Sequence, residues 1–162
     1  MRLILPAYSV YTLLSIFLFS LSLLAGCSPT RESAKPSSTS AAERQLRQEI
    51  VRYALTLDGI AYKYAGTSPR TGFDCSGFTS YVLKQFKVPV SPASAAQSEE
   101  GRAVPLQAVQ PGDLIIFGKN KRNIQHVAMV VERDRKGIVV IHSTTSRGVI
   151  RENISTSSYW EP

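Results

Sequence analysis

Cysteine and histidine are the scarce reactive residues of this chain, with only two of each in 162 residues: Cys27, Cys75, His126 and His142. So few cysteines exclude a disulfide-stapled fold. No pair among the four stands at the C-x-x-C or H-x-x-x-H spacing that usually accompanies a metal site, so a zinc site built from one cysteine and both histidines has little support. Acidic residues are also short, 12 against 19 Lys+Arg, for a formal charge of +7. That balance suits anionic surroundings without identifying them. The basic residues are scattered apart from "GKNKRN" (118–123), which reads as a solvated loop. There is no internal repeat.

The one extended apolar run is at the N-terminus. Arg2 supplies a positive start, and "LLSIFLFSLSLL" (13–24) an apolar stretch that reads as an export signal rather than part of a fold. An uncleaved membrane anchor is the alternative. The run stops at Leu24-Ala25-Gly26-Cys27, which resembles the lipobox of bacterial lipoproteins. That resemblance implies cleavage of residues 1–26 and lipid on Cys27. Lipidation would leave Cys75 without a partner in the chain. The following stretch, "SPTRESAKPSSTS" (28–40), has no aliphatic side chain larger than Ala and cannot bury enough apolar surface to fold. Residues 27–40 are therefore expected to be a tether spanning about 20 Å. Residues 41–162 are the size of one domain. Export argues against a nucleic-acid partner, and nothing indicates an oligomer.

Helical signals precede strand signals in that domain. Ser40-Ala41-Ala42-Glu43 reads as a capping box. Leu46, Ile50, Tyr53, Ala54 and Leu57 then recur at helical spacing as far as Gly59. A second helix is expected over 75–86, with Asp74 as N-cap and Cys75, Phe78, Val82 and Phe86 on one stripe. A short third helix lies within 94–100. Beyond Pro111-Gly112 come four strand patterns, "DLIIF" (113–117), "HVAMVV" (126–131), "IVVIH" (138–142) and "GVIRE" (148–152). Helices followed by an antiparallel meander define an α+β fold. Asp113, in a Pro-Gly-Asp turn, is taken as structural.

Cys75 thus falls at a helix start. A free thiol with pKa about 8.5 is only a few per cent thiolate at neutral pH. The helix dipole supplies at most about 2 kcal/mol, and Asp74 opposes it. A protonated imidazole nearby is the expected source of further stabilisation. His126 and His142 end neighbouring strands, so a nucleophile, a base and a group that orients the base can converge. A tight turn at 134–137 would not set the two histidines opposite each other, so a bulge or longer loop is expected.

The segments "GIAYKYAG" (59–66), "GFDCSGFTSYV" (72–82), "VQPGDLIIF" (109–117), "HVAMVV" (126–131) and "IHSTTSRGV" (141–149) resemble, in order, those of the NlpC family of bacterial cell-wall endopeptidases. These are papain-like cysteine peptidases that cleave peptidoglycan stem peptides. The resemblance implies a papain-like fold, with N-terminal helices packed on an antiparallel β-meander. It implies Cys75 as nucleophile, His126 as general base and His142 as the residue that orients it. Tyr62 is implied near the oxyanion, with Asp74 and Ser76 at the free amino end of a stem peptide. Neither a cofactor nor a metal is implied. The expected activity is a D,L-endopeptidase acting between γ-linked D-glutamate and the following diamino acid. The expected location is the cell envelope, lipid-anchored at the outer membrane and facing the periplasm. An amidase on the same fold, a metal-binding lipoprotein and a non-catalytic wall-associated protein are the alternatives. Ala65 departs from the family pattern, standing where glycine is common and where it is expected to crowd the cleft wall.

Overall fold

The computed structural model describes residues 40–157. The export signal, Cys27 and residues 28–39 of the tether lie outside these residues. Among the described residues no helix is long and apolar enough to cross a membrane.

Helix α1 (Ala41–Leu55) starts where expected, because the Ser40 hydroxyl accepts the N–H of Glu43 at 3.1 Å. The Glu43 carboxylate turns instead to Arg47 Nε, 3.2 Å away. The helix ends before Gly59, which closes the following turn at φ +84°. Its buried face also differs from the apolar pattern: Leu46 is 38% exposed while Arg47 is 6% exposed. Arg47 takes the inward position because a buried carboxylate, Asp113, waits 2.7 Å from its Nη1.

A short hairpin, β1 (Thr67–Ser68) and β2 (Gly72–Phe73), leads into α2 (Cys75–Gln85). The hairpin carries too few residues for an alternating pattern, and the sequence did not announce it. Asp74 caps α2 as expected, its Oδ1 accepting the Gly77 N–H at 2.6 Å. Phe78 and Val82 are fully buried. The far end is a Schellman-type stop, in which the N–H of Val88 reaches the Leu83 carbonyl and that of Lys87 reaches Lys84, each at 3.1 Å. Lys87 takes the left-handed position at φ 59°, where glycine is usual. The one-turn helix α3 (Ser94–Gln97) follows. From it the buried Gln97 donates to the carbonyls of Ser76 (3.0 Å) and Ser91, and accepts from Thr79 Oγ1 at 2.9 Å. This stitches α3 to the first turns of the cysteine helix.

A 3-10 turn (Leu106–Ala108) precedes the meander β3 (Leu114–Asn120), β4 (Asn123–Asp134), β5 (Gly137–Thr144) and β6 (Gly148–Asn153), paired antiparallel in chain order. All four expected strands are present, and each runs past its expected end. "GKNKRN" is solvent-exposed as expected, but it forms the tip of the β3–β4 hairpin and is not an irregular loop. One sheet face carries Leu114, Ile116, Val127, Met129, Ile141 and Val149 into a core with Ile50, Ala54, Phe78 and Val82 of α1 and α2. The other carries Ile115, Ala128, Val130, Ile138 and Val140, covered by Val109, Val104, Leu106 and Ile154. Helices on an antiparallel meander give the expected α+β architecture.

Candidate active site

Three backbone ties position the start of α2. The N–H of Asp74 bonds to the Gly66 carbonyl at 3.0 Å, that of Phe73 to Ala61 at 3.1 Å, and that of Lys63 to Phe73 at 3.0 Å. Gly77 lies directly on the Gly66 carbonyl, and a Cβ there would collide with it. The glycines of "YKYAG" and "DCSG" are thus one close backbone contact, and it brings Tyr62 alongside Cys75. Ala65, in between, is exposed at φ 53°. It does not line the cleft. Its departure from glycine therefore costs backbone strain, roughly 1–2 kcal/mol for a left-handed L-residue, rather than crowding.

A cleft of about 1140 Å³ is lined by Tyr62, Cys75, Phe117, Lys119, His126 and Arg147, among others. From one wall a backbone N–H of Val127, the residue after the first strand histidine, hydrogen-bonds the Cys75 sulfur. The two histidines meet behind it, with His126 Nε2 and His142 Nδ1 2.8 Å apart and ring planes 76° apart.

That meeting depends on a bulge. From the turn, β4 and β5 pair Asp134 with Gly137, Arg133 with Ile138 and Glu132 with Val139; then the register shifts and Val130 pairs with Val140 and Met129 with Ile141. Val131 is the extra residue. Without it, alternation would put His126 and His142 on opposite faces of the sheet. With it they share a face, diagonally across the two strands, within reach of long side chains.

His142 is fully buried and does not itself line the cleft, whereas its neighbour His126 does. On its other side Nε2 lies 3.3 Å from Glu152 Oε2, and Arg147 Nη2 lies 3.3 Å from Glu152 Oε1. Glu152 did not stand out in the sequence. Counting by twos along β6 from the His142–Ile150 pair would have put it on the histidine face.

Burial acts on both Cys75 and His126. It pushes the Cys75 thiol up, reinforced by the Asp74 charge and opposed by the N–H groups of Val127, Ser76 and Cys75 itself. It also pushes His126 down to about 3, reinforced by His142 and opposed by Glu152. His142 is lowered too, by burial first, against the Glu152 carboxylate. Both shifts favour the uncharged forms, thiol and neutral imidazole, and so run against the expectation of a protonated His126 holding a standing thiolate. Tyr62 is raised by desolvation and by the Asp74 and Cys75 charges, so it keeps its O–H as a donor.

The remaining site candidates sit differently. Asp74 Oδ1 accepts the Gly77 N–H and lies 3.2 Å from the Ser76 hydroxyl oxygen. Ser76 is 5% exposed, and its Oγ lies 2.8 Å from the Pro92 carbonyl, so its proton is directed inward. Neither residue lines the cleft. Among the described residues no group of three or more His, Cys, Asp and Glu is arranged to hold a metal ion. The facing histidine nitrogens, at 2.8 Å, are also closer than the ~3.3 Å that two tetrahedral zinc ligands need at ordinary Zn–N lengths.

Comparison with known proteins assigns the chain to a family. Residues 59–162 match the NlpC/P60 family, and the chain belongs to it. The chain is 35% identical over 114 residues to the gamma-DL-glutamyl hydrolase of Bacillus subtilis, covering 68% of this chain and 27% of that protein. The crystal structure of an NlpC/P60 family protein from Bacillus cereus superposes with a TM-score of 0.63 at 33% identity, covering 70% of this chain and 37% of that one. The NlpC/p60 domain of the peptidoglycan hydrolase SagA superposes with a TM-score of 0.59 at 28% identity, covering 67% of this chain and 90% of that one. The chain thus spans about a quarter of the length of its Bacillus subtilis relative.

Proposed function

We propose that this chain is a peptidoglycan hydrolase, a cysteine endopeptidase that cuts stem peptides between γ-linked D-glutamate and the following diamino acid. The observation that carries this reading is the shared cleft of Cys75 and His126, with a buried His142 bonded to the back of His126 at 2.8 Å. Family membership and the γ-glutamyl hydrolase relative support the substrate class.

In this mechanism the Cys75 sulfur attacks the γ-carbonyl carbon as its proton passes to His126. The carbonyl π pair moves onto oxygen, whose negative charge is taken in this reading by N–H groups at the start of α2 and the Tyr62 hydroxyl. The tetrahedral intermediate collapses with cleavage of the C–N bond, and His126 returns the proton to the departing amine. Water, deprotonated by His126, then releases the acyl group and restores the thiol. Lipid on Cys27, suggested by Leu24-Ala25-Gly26-Cys27, would hold the enzyme at the envelope, facing the periplasm from the outer membrane.

The test is to incubate the detergent-solubilised full chain with purified peptidoglycan and identify the new termini by mass spectrometry. A new amine on the diamino acid is expected. Cleavage at the sugar–peptide junction would make it an amidase, and intact peptidoglycan would return it to a non-catalytic wall protein. Cys27→Ser should leave the precursor unlipidated, and a protein starting at residue 41 should be soluble and keep its activity; a soluble, unmodified full chain would remove the anchor from the proposal.

A further inference from the structure

The reactive pair is the front of a longer chain of groups crossing three strands. His126 on β4, His142 on β5 and Glu152 on β6 lie on one sheet face, each offset diagonally from the next. The contacts are 2.8 Å from His126 Nε2 to His142 Nδ1 and 3.3 Å from His142 Nε2 to Glu152 Oε2. The geometry points to Glu152 as a positioning residue that fixes the tautomer of both histidines and so keeps unprotonated the nitrogen of His126 that is to take the thiol proton. This inference rests on the hydrolase reading for its consequence in turnover, but its structural content can be measured without substrate.

An ionised carboxylate only accepts hydrogen bonds. Facing Glu152, His142 must therefore carry its proton on Nε2, and a neutral imidazole protonated there has a bare Nδ1. That bare nitrogen can only accept, so His126 must donate from Nε2. The nitrogen of His126 left without a proton is then Nδ1, the one not committed to His142. In the reverse order, His142 donates from Nδ1, His126 accepts at Nε2, and His126 carries its proton on Nδ1, where it cannot act as a base. The two arrangements have the same heavy-atom positions, and a histidine–histidine pair alone does not distinguish them. The carboxylate at the end of the row does. A base held in the wrong tautomer is a known way to lose most of an enzyme's rate without moving its atoms.

The position of Glu152 suits this task better than a purely structural one. The carboxylate side chain is 19% exposed, while its partner Arg147 is 59% exposed. A solvated arginine at the rim contributes little to stability. The 3.3 Å contact to His142 is longer than a charge-assisted bond of about 2.7–2.9 Å, which fits a neutral imidazole in the resting state.

The experiment uses the full chain, whose only two histidines make assignment direct. Two-bond ¹⁵N–¹H correlations of the imidazoles report which ring nitrogen carries the proton. In the unaltered protein both histidines are expected as the Nε2–H tautomer. Glu152→Gln, whose amide can donate as well as accept, is expected to give mixed tautomers and a tenfold or greater fall in kcat with KM changed less than twofold. Glu152→Leu, which offers no acceptor, should fall further, and Arg147→Gln should keep the tautomers of the unaltered protein. A His142 found protonated on Nδ1 in the unaltered protein overturns the inference, whatever the activity. So does a Glu152→Gln protein with unchanged tautomers and kcat within twofold. If the tautomers are as expected but no peptidoglycan is cut by any form, the hydrolase reading fails and the positional role of Glu152 stands.

Discussion

Cys75→Ser is expected to abolish hydrolysis, with a loss on the order of 10⁴-fold or more, and His126→Ala to do nearly the same. The two losses should not add in the double variant, because in the proposed mechanism sulfur and imidazole act in one step, the thiol attacking only as its proton leaves. Cys75→Ser keeps almost the same volume at the start of α2 and leaves the Asp74–Gly77 cap in place, so the fold should be retained. Measuring release of the diamino acid amine from peptidoglycan for the four proteins completes the cycle. Undiminished cleavage by Cys75→Ser would remove the mechanism altogether.

The same pair makes a pH-dependent prediction with a definite sign. His126 is held down to about 3, so it stays a neutral base from about pH 4 upward. Cys75 is raised by burial, so its thiolate fraction at neutral pH lies below the few per cent of a free thiol. Alkylation of Cys75 by iodoacetamide, followed at its own peptide by mass spectrometry, should therefore rise with pH through a pKa above about 8.5, with no plateau on the acid side. A flat, fast rate between about pH 4 and 8 would indicate a standing thiolate–imidazolium pair instead.

Local rules made most of this site legible. Asp74 before an apolar stripe located the cysteine helix, short runs rich in Val and Ile located four strands, and counting from the 134–137 turn showed that a bulge or longer loop was needed to bring the histidines together. What stayed hidden depends on partners distant in sequence. Arg47 reads as a charge on an amphipathic helix until the meander brings Asp113 to it. Glu152 reads as an edge-strand carboxylate until the bulge at Val131 rotates His126 onto its face. The push of both groups toward their neutral forms could not be seen at all, because it follows from how deeply Cys75 and His126 are buried, and sequence spacing carries no measure of that.

Loss of Arg47 or Asp113 is expected to be the most damaging single change to stability outside the hydrophobic core. The pair closes at 2.7 Å with side chains only 7% and 2% exposed. Arg47 also donates to the Pro111 carbonyl at 3.0 Å, and Asp113 Oδ2 accepts the N–H of Gln110 at 2.9 Å. This cluster joins the first turns of α1 to the loop that launches β3. Asp113→Ala would leave the buried Arg47 guanidinium with only the half-exposed Glu43 carboxylate, on its Nε side, and should cost up to about 3–5 kcal/mol, a large part of the 5–15 kcal/mol typical of a domain. Replacing both residues, as Arg47→Met with Asp113→Leu, should cost less than Asp113→Ala alone, because no charge is then stranded. Urea unfolding of the three proteins measures this, and a cost below about 1 kcal/mol for Asp113→Ala would show that the pair is dispensable. Asp113 does not line the cleft. Turnover per folded molecule should therefore be unchanged in Asp113→Ala, separating a residue that holds the site's scaffold together from one that takes part in its chemistry.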